Sequence, residues 1–167
     1  MEARTAETEE RPVGEWDRLF REVWAPLWRA VYVYSGGRRA FADEVAAEAF
    51  TKLFERWESV KDPRAWLYRV AFRLAKDELR REDRRIPPSL EPSTDDDEPE
   101  GVLAVVQALR QLPPKQRAAI VLHYRLDLPV REVAHVLGIS VATAKVHLHR
   151  GRKRLRELLG SEEVADA

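Results

Sequence analysis

The sequence contains no cysteine, a single methionine and no apolar run long enough to cross a bilayer. Without cysteine the chain has neither a disulfide framework nor a thiolate metal site. A membrane-spanning helix needs about 20 predominantly apolar residues, and the polar, acidic residues 1–12 do not resemble a secretory signal. These absences predict a cytoplasmic protein that is neither exported nor inserted into a membrane.

Net charge is absent too, because 29 basic and 29 acidic side chains balance over 167 residues. The charge is unevenly distributed, however, with −3 over residues 1–60 and +4 over residues 61–86. Residues 87–100 then carry −6, and residues 101–167 carry +5. Two basic blocks therefore flank an acidic spacer, which is a distribution suited to a nucleic-acid partner.

The acidic spacer, residues 86–100, has four prolines, no basic residue and only two apolar side chains. Such a segment cannot bury enough surface to offset its ordering entropy, which predicts a flexible, extended linker. Helical periodicity lies on both sides of it, and no pattern of period two persists. We therefore expect an all-α protein with a tail over residues 1–15, helical domains over 16–85 and 101–160, and a second tail over 161–167.

The first domain shows three helical segments. Apolar residues recur at three- and four-residue spacing from Leu19 to Tyr34, and Gly36 and Gly37 end that helix. A second helix, over about residues 40–57, carries acidic side chains opposite its apolar face. A third begins at Pro63, with Asp62 as a potential N-cap, and runs to a basic end.

The second domain has the pattern of a helix-turn-helix after helices over about residues 102–112 and 115–124. Ala134 is small where two helices would cross, Gly138 suits the tight turn, and Ser140 can cap the last helix, which runs to about Leu159. Residues 133–156 contain six basic and no acidic side chains. A plain helical hairpin is the alternative, but this basic stripe favours a phosphate-binding helix in a major groove.

Two sets of motifs resemble sigma factors of the sigma-70 family. The set similar to region four comprises Leu112–Arg117, Ala134–Ser140 and residues 143–155, and the set similar to region two comprises residues 42–50, Trp57 and Pro63–Ala71. No segment resembling regions one or three accompanies them, which is the pattern of the extracytoplasmic-function group. The chain departs from that family at His147, where arginine is usual, and at Gly151, where alanine is usual, so no promoter sequence is predicted.

The resemblance implies three binding sites and no catalytic residue, cofactor or metal. RNA polymerase core, through its β′ clamp helices, would bind Asp43, Glu44, Glu48 and Phe50. The promoter's minus-ten element would bind Lys61, Arg64, Trp66, Tyr68, Arg69, Arg73, Lys76, Arg80 and Arg81. The minus-thirty-five element would bind Ser140, Thr143, Lys145, Val146, His147, His149, Arg150 and Lys153. The β flap is a further expected core contact, an anti-sigma factor is left open, and the expected location is the nucleoid.

Other interpretations are weaker. His147 and His149 stand two apart, so on a helix they point to different faces, and Glu44 and Glu48 have no Glu-x-x-His partner to complete a metal centre. Trp66 has core-like spacing with Val70, which leaves a structural role open. A helix-turn-helix regulator that acts without polymerase is the main alternative function, and a helical interaction protein with no DNA role is the third.

Overall fold

A computed structural model describes residues 12–85 and 100–160 of the chain. Within those ranges it contains seven α-helices and no strand. They are α1 (Val13–Tyr34), α2 (Arg39–Glu55), α3 (Pro63–Arg85), α4 (Glu100–Arg110), α5 (Pro114–Arg125), α6 (Val130–Leu137) and α7 (Val141–Leu159). The predicted all-α class with two helical units is confirmed. Most of the predicted linker, residues 86–99, and the end segments 1–11 and 161–167 lie outside the described residues.

The first helix begins at Val13, within the segment predicted as an N-terminal tail. Its first turn is held by Trp16, whose ring meets those of Phe50 and Trp57 edge-on at centroid distances of 6.1 and 5.2 Å. Edge-to-face aromatic pairs of this kind contribute roughly 0.5–1.5 kcal/mol beyond the area they bury. The domain boundary therefore lies a few residues earlier than the apolar periodicity indicated.

The turn between α1 and α2 has the glycine conformation that the sequence predicts. Gly36 and Gly37 have φ values of +83° and +85°, in the left-handed region that other residues avoid. The buried Ser35 caps the end of α1, where its Oγ donates to the Tyr32 carbonyl at 2.9 Å and accepts from the Arg38 amide at 3.3 Å. Helix α2 then packs on both α1 and α3, with its predicted apolar residues Val45, Ala49 and Leu53 buried.

Helix α3 begins at Pro63, as predicted, and Asp62 accepts a hydrogen bond from the Ala65 amide at 3.2 Å. This is the N-cap interaction that satisfies one of the free amides of the first turn. The helix extends to Arg85, so a single helix carries every cation of the first basic block except Lys61.

The second domain contains the predicted helix-turn-helix, formed by α6 and α7. Gly138 ends α6 with a φ of +66°, and Ser140 accepts a hydrogen bond from the Thr143 amide at 3.1 Å. Ala134 and Leu148 are buried at the helix crossing, where α6 and α7 also contact α5. The turn chemistry and the small crossing residue thus take the positions that the sequence indicated.

The two domains pack against each other, which the sequence did not predict. Helix α1 contacts α4 and α5, and α3 contacts α6. Arg117 of α5 donates to the Tyr34 carbonyl at 3.2 Å, and its guanidinium lies 5.6 Å from the centre of the Tyr34 ring. Arg69 of α3 lies 3.2 Å from Nε2 of His135 in α6. The apolar core is therefore continuous between the domains.

We expect Gly151→Ala to destabilise the second domain although alanine is the better helix former. A Cβ at Gly151 would lie 2.8 Å from Ile120 Cγ1 and 3.1 Å from its Cδ1, which are crowded distances. Overpacking of this kind costs about 1–3 kcal/mol, against a helix-propensity gain of about 1 kcal/mol. Urea unfolding measures the effect of Gly151→Ala on stability in the parent chain and in an Ile120→Ala chain. In the Ile120→Ala chain the Cβ has room, so the same change should become stabilising. Destabilisation of equal size in both backgrounds would contradict it.

Candidate nucleic-acid and polymerase interface

The acidic side chains of α2 form an exposed surface, as the sequence predicts. Asp43, Glu44 and Glu48 are all exposed. Asp43 is already engaged, since its Oδ1 accepts a hydrogen bond from Trp28 Nε1 at 2.7 Å. Glu48 lies 3.8 Å from Lys52 Nζ, a solvent-exposed pair of little energetic value. Glu44 and Glu48, four residues apart on one face, are therefore the carboxylates best placed to meet a partner.

Phe50, which the resemblance assigned to the polymerase contact, is only 3% exposed. Its ring lies 5.0 Å from Phe20 and 5.4 Å from Trp24, in the aromatic layer between α1 and α2. Burial there removes most of an aromatic side chain from solvent and stabilises the helix pair. Phe50 is thus a core residue in this structure, and the assignment is corrected to a supporting role behind the acidic face.

A row of cations runs along one face of α3. Arg69, Arg73, Lys76 and Arg80 follow one another at three- and four-residue spacing, the spacing that keeps helix residues on one side. We refer to these four residues as the α3 stripe. Arg73 and Arg80 are exposed, and Arg69 and Lys76 are half-buried where α6 and the second domain approach. A stripe of this kind is suited to following a phosphate backbone.

The other cations predicted for the minus-ten element lie off the stripe. Arg64 is paired with Glu22 of α1 at 2.7 Å, and Arg81 lies 3.5 Å from Glu78 within its own helix. Lys61 is exposed just before α3 begins. Both ion pairs are at the surface and contribute little stability, so a phosphate could replace either carboxylate at small cost.

The aromatic residues in and beside the predicted minus-ten site are less accessible than the cations. Tyr68 is 5% exposed, and burial raises the pKa of its hydroxyl while Arg64 acts in the opposite direction. Phe72, beside Tyr34, is also buried. Trp66 is half-buried and packs against the core. The assignment of Tyr68 to the minus-ten contact is therefore corrected: its ring is part of the core between the helices, and a base cannot stack on it in this arrangement.

The recognition helix α7 presents a mixed outer face. Ala144, Leu148, Gly151 and Leu155 are buried towards the rest of the domain. The opposite side carries the exposed residues Ala142, Val146, His149 and Lys153, with Lys145 and Arg150 exposed at its edges. Ser140 and Thr143 share a hydrogen bond of 2.8 Å between their hydroxyls at the start of the helix. Seven of the eight predicted minus-thirty-five residues are thus exposed together.

His147 differs from the other seven, because it lies at the flank of α7 towards α5. Its Nδ1 is buried and has no hydrogen-bond partner among the described residues. Burial lowers the pKa of His147, and the positive charges of Lys115 and Arg150 lower it further. The imidazole is therefore held in its neutral form, without the positive charge of the arginine usual at this position.

The lowered pKa of His147 predicts that the second domain loses stability as the pH falls. A folded-state pKa below the ordinary value of about 6.5 means that the unfolded chain binds the proton more readily. The stabilisation is present above about pH 6.5 and is lost as acid protonates the folded state. Urea midpoints at pH 8 and pH 5.5 should therefore differ less in His147→Gln than in the parent chain. A His147→Gln variant with the same pH dependence as the parent chain would contradict the inference.

Several interactions near these surfaces carried no recognisable sequence signal. Arg38 forms a two-pronged ion pair with Glu82, one arm of which measures 2.7 Å. Arg152 of α7 donates to the Tyr124 hydroxyl of α5 at 3.1 Å. Arg117 donates to the carbonyls of Arg110 and Leu112 as well as Tyr34. Each of these interactions joins residues distant in sequence or a side chain to the backbone. The spacing of apolar residues along the chain predicts neither kind of contact.

Neither a metal site nor a membrane-spanning helix occurs among the described residues. No group of three or more histidine, aspartate or glutamate side chains there is arranged to hold a metal ion. In that same part of the chain, no helix is both long enough and apolar enough to cross a membrane.

Each half of the chain matches the model of a known protein family. Residues 19–85 match the model described as "Sigma-70 region 2", and residues 103–155 match that described as "Sigma-70, region 4". The first match runs from within α1 to the end of α3, and the second runs from within α4 to within α7. A helical protein with this pair of modules is of the sigma-70 type.

Individual relatives narrow the group. The chain is 31% identical over 168 residues to the ECF RNA polymerase sigma factor SigE of Mycolicibacterium smegmatis, covering 91% of this chain and 65% of SigE. It is 32% identical over 140 residues to the ECF RNA polymerase sigma factor SigW of Bacillus subtilis, covering 71% of this chain and 75% of SigW. The chain belongs to the ECF sigma factors, whose members are non-enzymatic transcription initiation factors.

A solved structure supports the fold independently. The sigma factor RpoE from Bartonella quintana, in complex with the anti-sigma factor NepR, has a TM-score of 0.78 against this chain at 20% identity. The match covers 90% of this chain and all of RpoE. The chain spans about half to two thirds of the length of several curated relatives that it matches.

Proposed function

We propose that this protein binds RNA polymerase core, recognises minus-ten and minus-thirty-five promoter elements, and initiates transcription of a specific set of genes. The observation that carries the proposal is the presence, in one chain and in this order, of the acidic face of α2, the α3 stripe and the capped helix-turn-helix. The family membership and the relatives' names support the same function.

Each surface has its own part in this function. Glu44 and Glu48 would dock on the β′ clamp helices of the polymerase by charge complementarity, which sets orientation and association rate more than raw affinity. The α3 stripe would follow the backbone of the melted minus-ten strand. Helix α7 would enter the major groove of the minus-thirty-five element, with its domain against the β flap. An anti-sigma factor is a further proposed partner, since RpoE was solved with one.

The chain itself would carry out no chemical step, because phosphodiester synthesis belongs to the polymerase. Its contribution would be to position promoter DNA and to stabilise the melted state, at the nucleoid. A helix-turn-helix regulator acting alone would need neither the acidic face of α2 nor the α3 stripe. Complex formation tests this: the chain should shift purified core polymerase in a native gel and retain a fork-junction promoter only with core present. Equal retention of the promoter without core would support the regulator instead.

On the recognition helix, we expect residues of the outer face to determine sequence preference. His149→Ala should alter which minus-thirty-five sequences are selected, since a base-edge contact contributes roughly 1–3 kcal/mol of discrimination. Lys153→Ala should weaken all sequences about equally, because a phosphate contact carries no sequence information. The sequence predicts groove contacts by the leading residues Thr143, Val146 and His147 of this helix. His147→Ala, run beside the other variants, therefore compares the flank with the outer face. A binding selection with the full chain is the measurement. A motif shifted by Lys153→Ala and unchanged by both histidine variants would contradict the placement of α7.

A further inference from the structure

A crevice of about 580 Å³ lies where the two domains meet. The α3 stripe forms one wall, and residues of α4, α5 and α6 form the other. Its lining includes eight arginine and lysine side chains but only one carboxylate, that of Glu82. The two walls come from the two sigma modules, so the site is complete only while the domains are in contact.

The single carboxylate does not neutralise the crevice, because it is held by Arg38 in the two-pronged ion pair. Among the described residues, none of the four cations of the α3 stripe has a carboxylate within ion-pair distance. The same is true of Arg110 and Lys115. Arg69 lies 3.2 Å from Nε2 of the His135 ring. The α3 stripe, Arg110 and Lys115 therefore have no balancing carboxylate among the described residues.

Contact between the two domains brings these like charges together. Their electrostatic repulsion is screened less inside a crevice than at an open surface. A bound anion would remove that repulsion and would so favour the closed arrangement, since a ligand stabilises the state that it binds. We propose that the crevice binds a small anion carrying a chain of phosphate groups, held between the α3 stripe and the pair Arg110 and Lys115.

Size and charge select this class of ligand. A volume of about 580 Å³ is that of a small-molecule site, far too small for a DNA duplex. Cations on two facing walls suit several linked charges better than one phosphate, which offers fewer charges to share between the walls. Apolar side chains, among them Leu79 and Ile139, also line the crevice and leave room for an organic group. Inorganic polyphosphate and a nucleoside polyphosphate share the required chemistry.

Ligand and promoter would compete for the chain. The stripe residues that line the crevice are the same cations proposed above to contact the melted minus-ten strand. A chain closed around the ligand would have to open before the α3 stripe could follow DNA. This consequence rests on the proposed function, whereas binding at the crevice does not.

Calorimetry with the full chain tests the site without DNA or polymerase. Titrations use sodium tripolyphosphate, ATP and adenosine in magnesium-free buffer at about 150 mM salt, where exposed charges are screened beyond about 8 Å. Tripolyphosphate and ATP should bind saturably at one site, and adenosine should not.

Tighter binding of ATP than of tripolyphosphate would identify a site for a nucleoside polyphosphate, and equal binding would identify a site for the phosphate chain alone. Arg110→Gln with Lys115→Gln should weaken both by at least about tenfold, since each lost cation removes a phosphate contact.

The matched control is Arg125→Gln, which removes an exposed cation at the other end of α5, outside the crevice. It should bind like the parent chain. The proposal is overturned if neither phosphate compound saturates, if sodium sulfate of equal ionic strength gives the same heats, or if the crevice variants bind as the parent does. It is also overturned if a single-stranded oligonucleotide, but not tripolyphosphate, depends on Arg110 and Lys115. Failure of this experiment leaves the proposed function in place, because core polymerase and promoter are absent from it.

Discussion

Replacing Glu44 and Glu48 together by lysine is expected to weaken binding to core RNA polymerase by about a hundredfold. Both carboxylates are exposed on one face of α2, and reversing them puts like charges against a surface that is proposed to attract them. Like-charge contacts at an interface cost several kcal/mol, and each 1.4 kcal/mol corresponds to a tenfold change in affinity. The measurement is a titration of core polymerase with labelled chain, followed by anisotropy.

Two features keep that experiment specific. Asp43 is left unchanged, because it accepts the hydrogen bond from Trp28 Nε1 and its loss would disturb the α1–α2 contact. Asp17→Lys in α1 makes the same kind of charge reversal at another exposed position and should bind core almost normally. If the Glu44 and Glu48 variant binds as tightly as the Asp17 variant, α2 is not the docking face.

The second large effect is expected on promoter opening when Arg73, Lys76 and Arg80 are changed to alanine. Each phosphate contact contributes about 0.7 to the salt slope of binding to a single strand and about 0.9 to that of a duplex. Losing three contacts should lower the slope by about 2–3 and markedly reduce opening at physiological salt. Permanganate reactivity of unpaired thymines, recorded over a series of salt concentrations with core polymerase, measures both effects.

The control for the stripe is Arg21→Ala, which removes an exposed cation from α1, outside the stripe. Its salt slope should match that of the parent chain. A triple variant that opens the promoter as the parent does, with an unchanged slope, would mean that the α3 stripe does not hold the DNA backbone.

Local signals predicted the helices well because their physical causes are local. Asp62 and Ser140 cap α3 and α7 through their own side chains, and Gly36 and Gly138 adopt the positive φ that makes glycine necessary. Each of these features depends on residues within four positions in the chain. Sequence could therefore place the turns of the helix-turn-helix without any knowledge of tertiary contacts.

Burial of individual aromatic residues was harder to predict for a physical reason. Helical spacing places Phe50 and Tyr68 near a boundary between faces, and which side becomes buried depends on the neighbouring helix. Phe50 is buried because Trp16, Phe20 and Trp24 of α1 surround it. The family resemblance transfers a role to a position, but it does not report how far a side chain is covered in this chain.

Contact between the domains had no sequence signal either. Arg110 packs against Gly36, and a Cβ at that glycine would lie 2.7 Å from Arg110 Cδ. These residues are far apart in sequence and lie on opposite sides of the acidic spacer. Their meeting depends on the final fold, which explains why the crevice lined by Arg110 and Lys115 could not be predicted from charge blocks alone.

Run-off transcription with purified core polymerase shows whether this chain directs initiation at specific promoters. Core enzyme alone, core with this chain, and core with the Glu44 and Glu48 lysine variant are supplied with a pool of genomic promoter fragments. Discrete run-off products are expected only with the parent chain, starting a short distance downstream of a shared two-element motif. Core polymerase that makes no promoter-specific transcript with the chain, while the chain still binds the same DNA alone, would contradict the proposed function and identify a regulator that acts without polymerase.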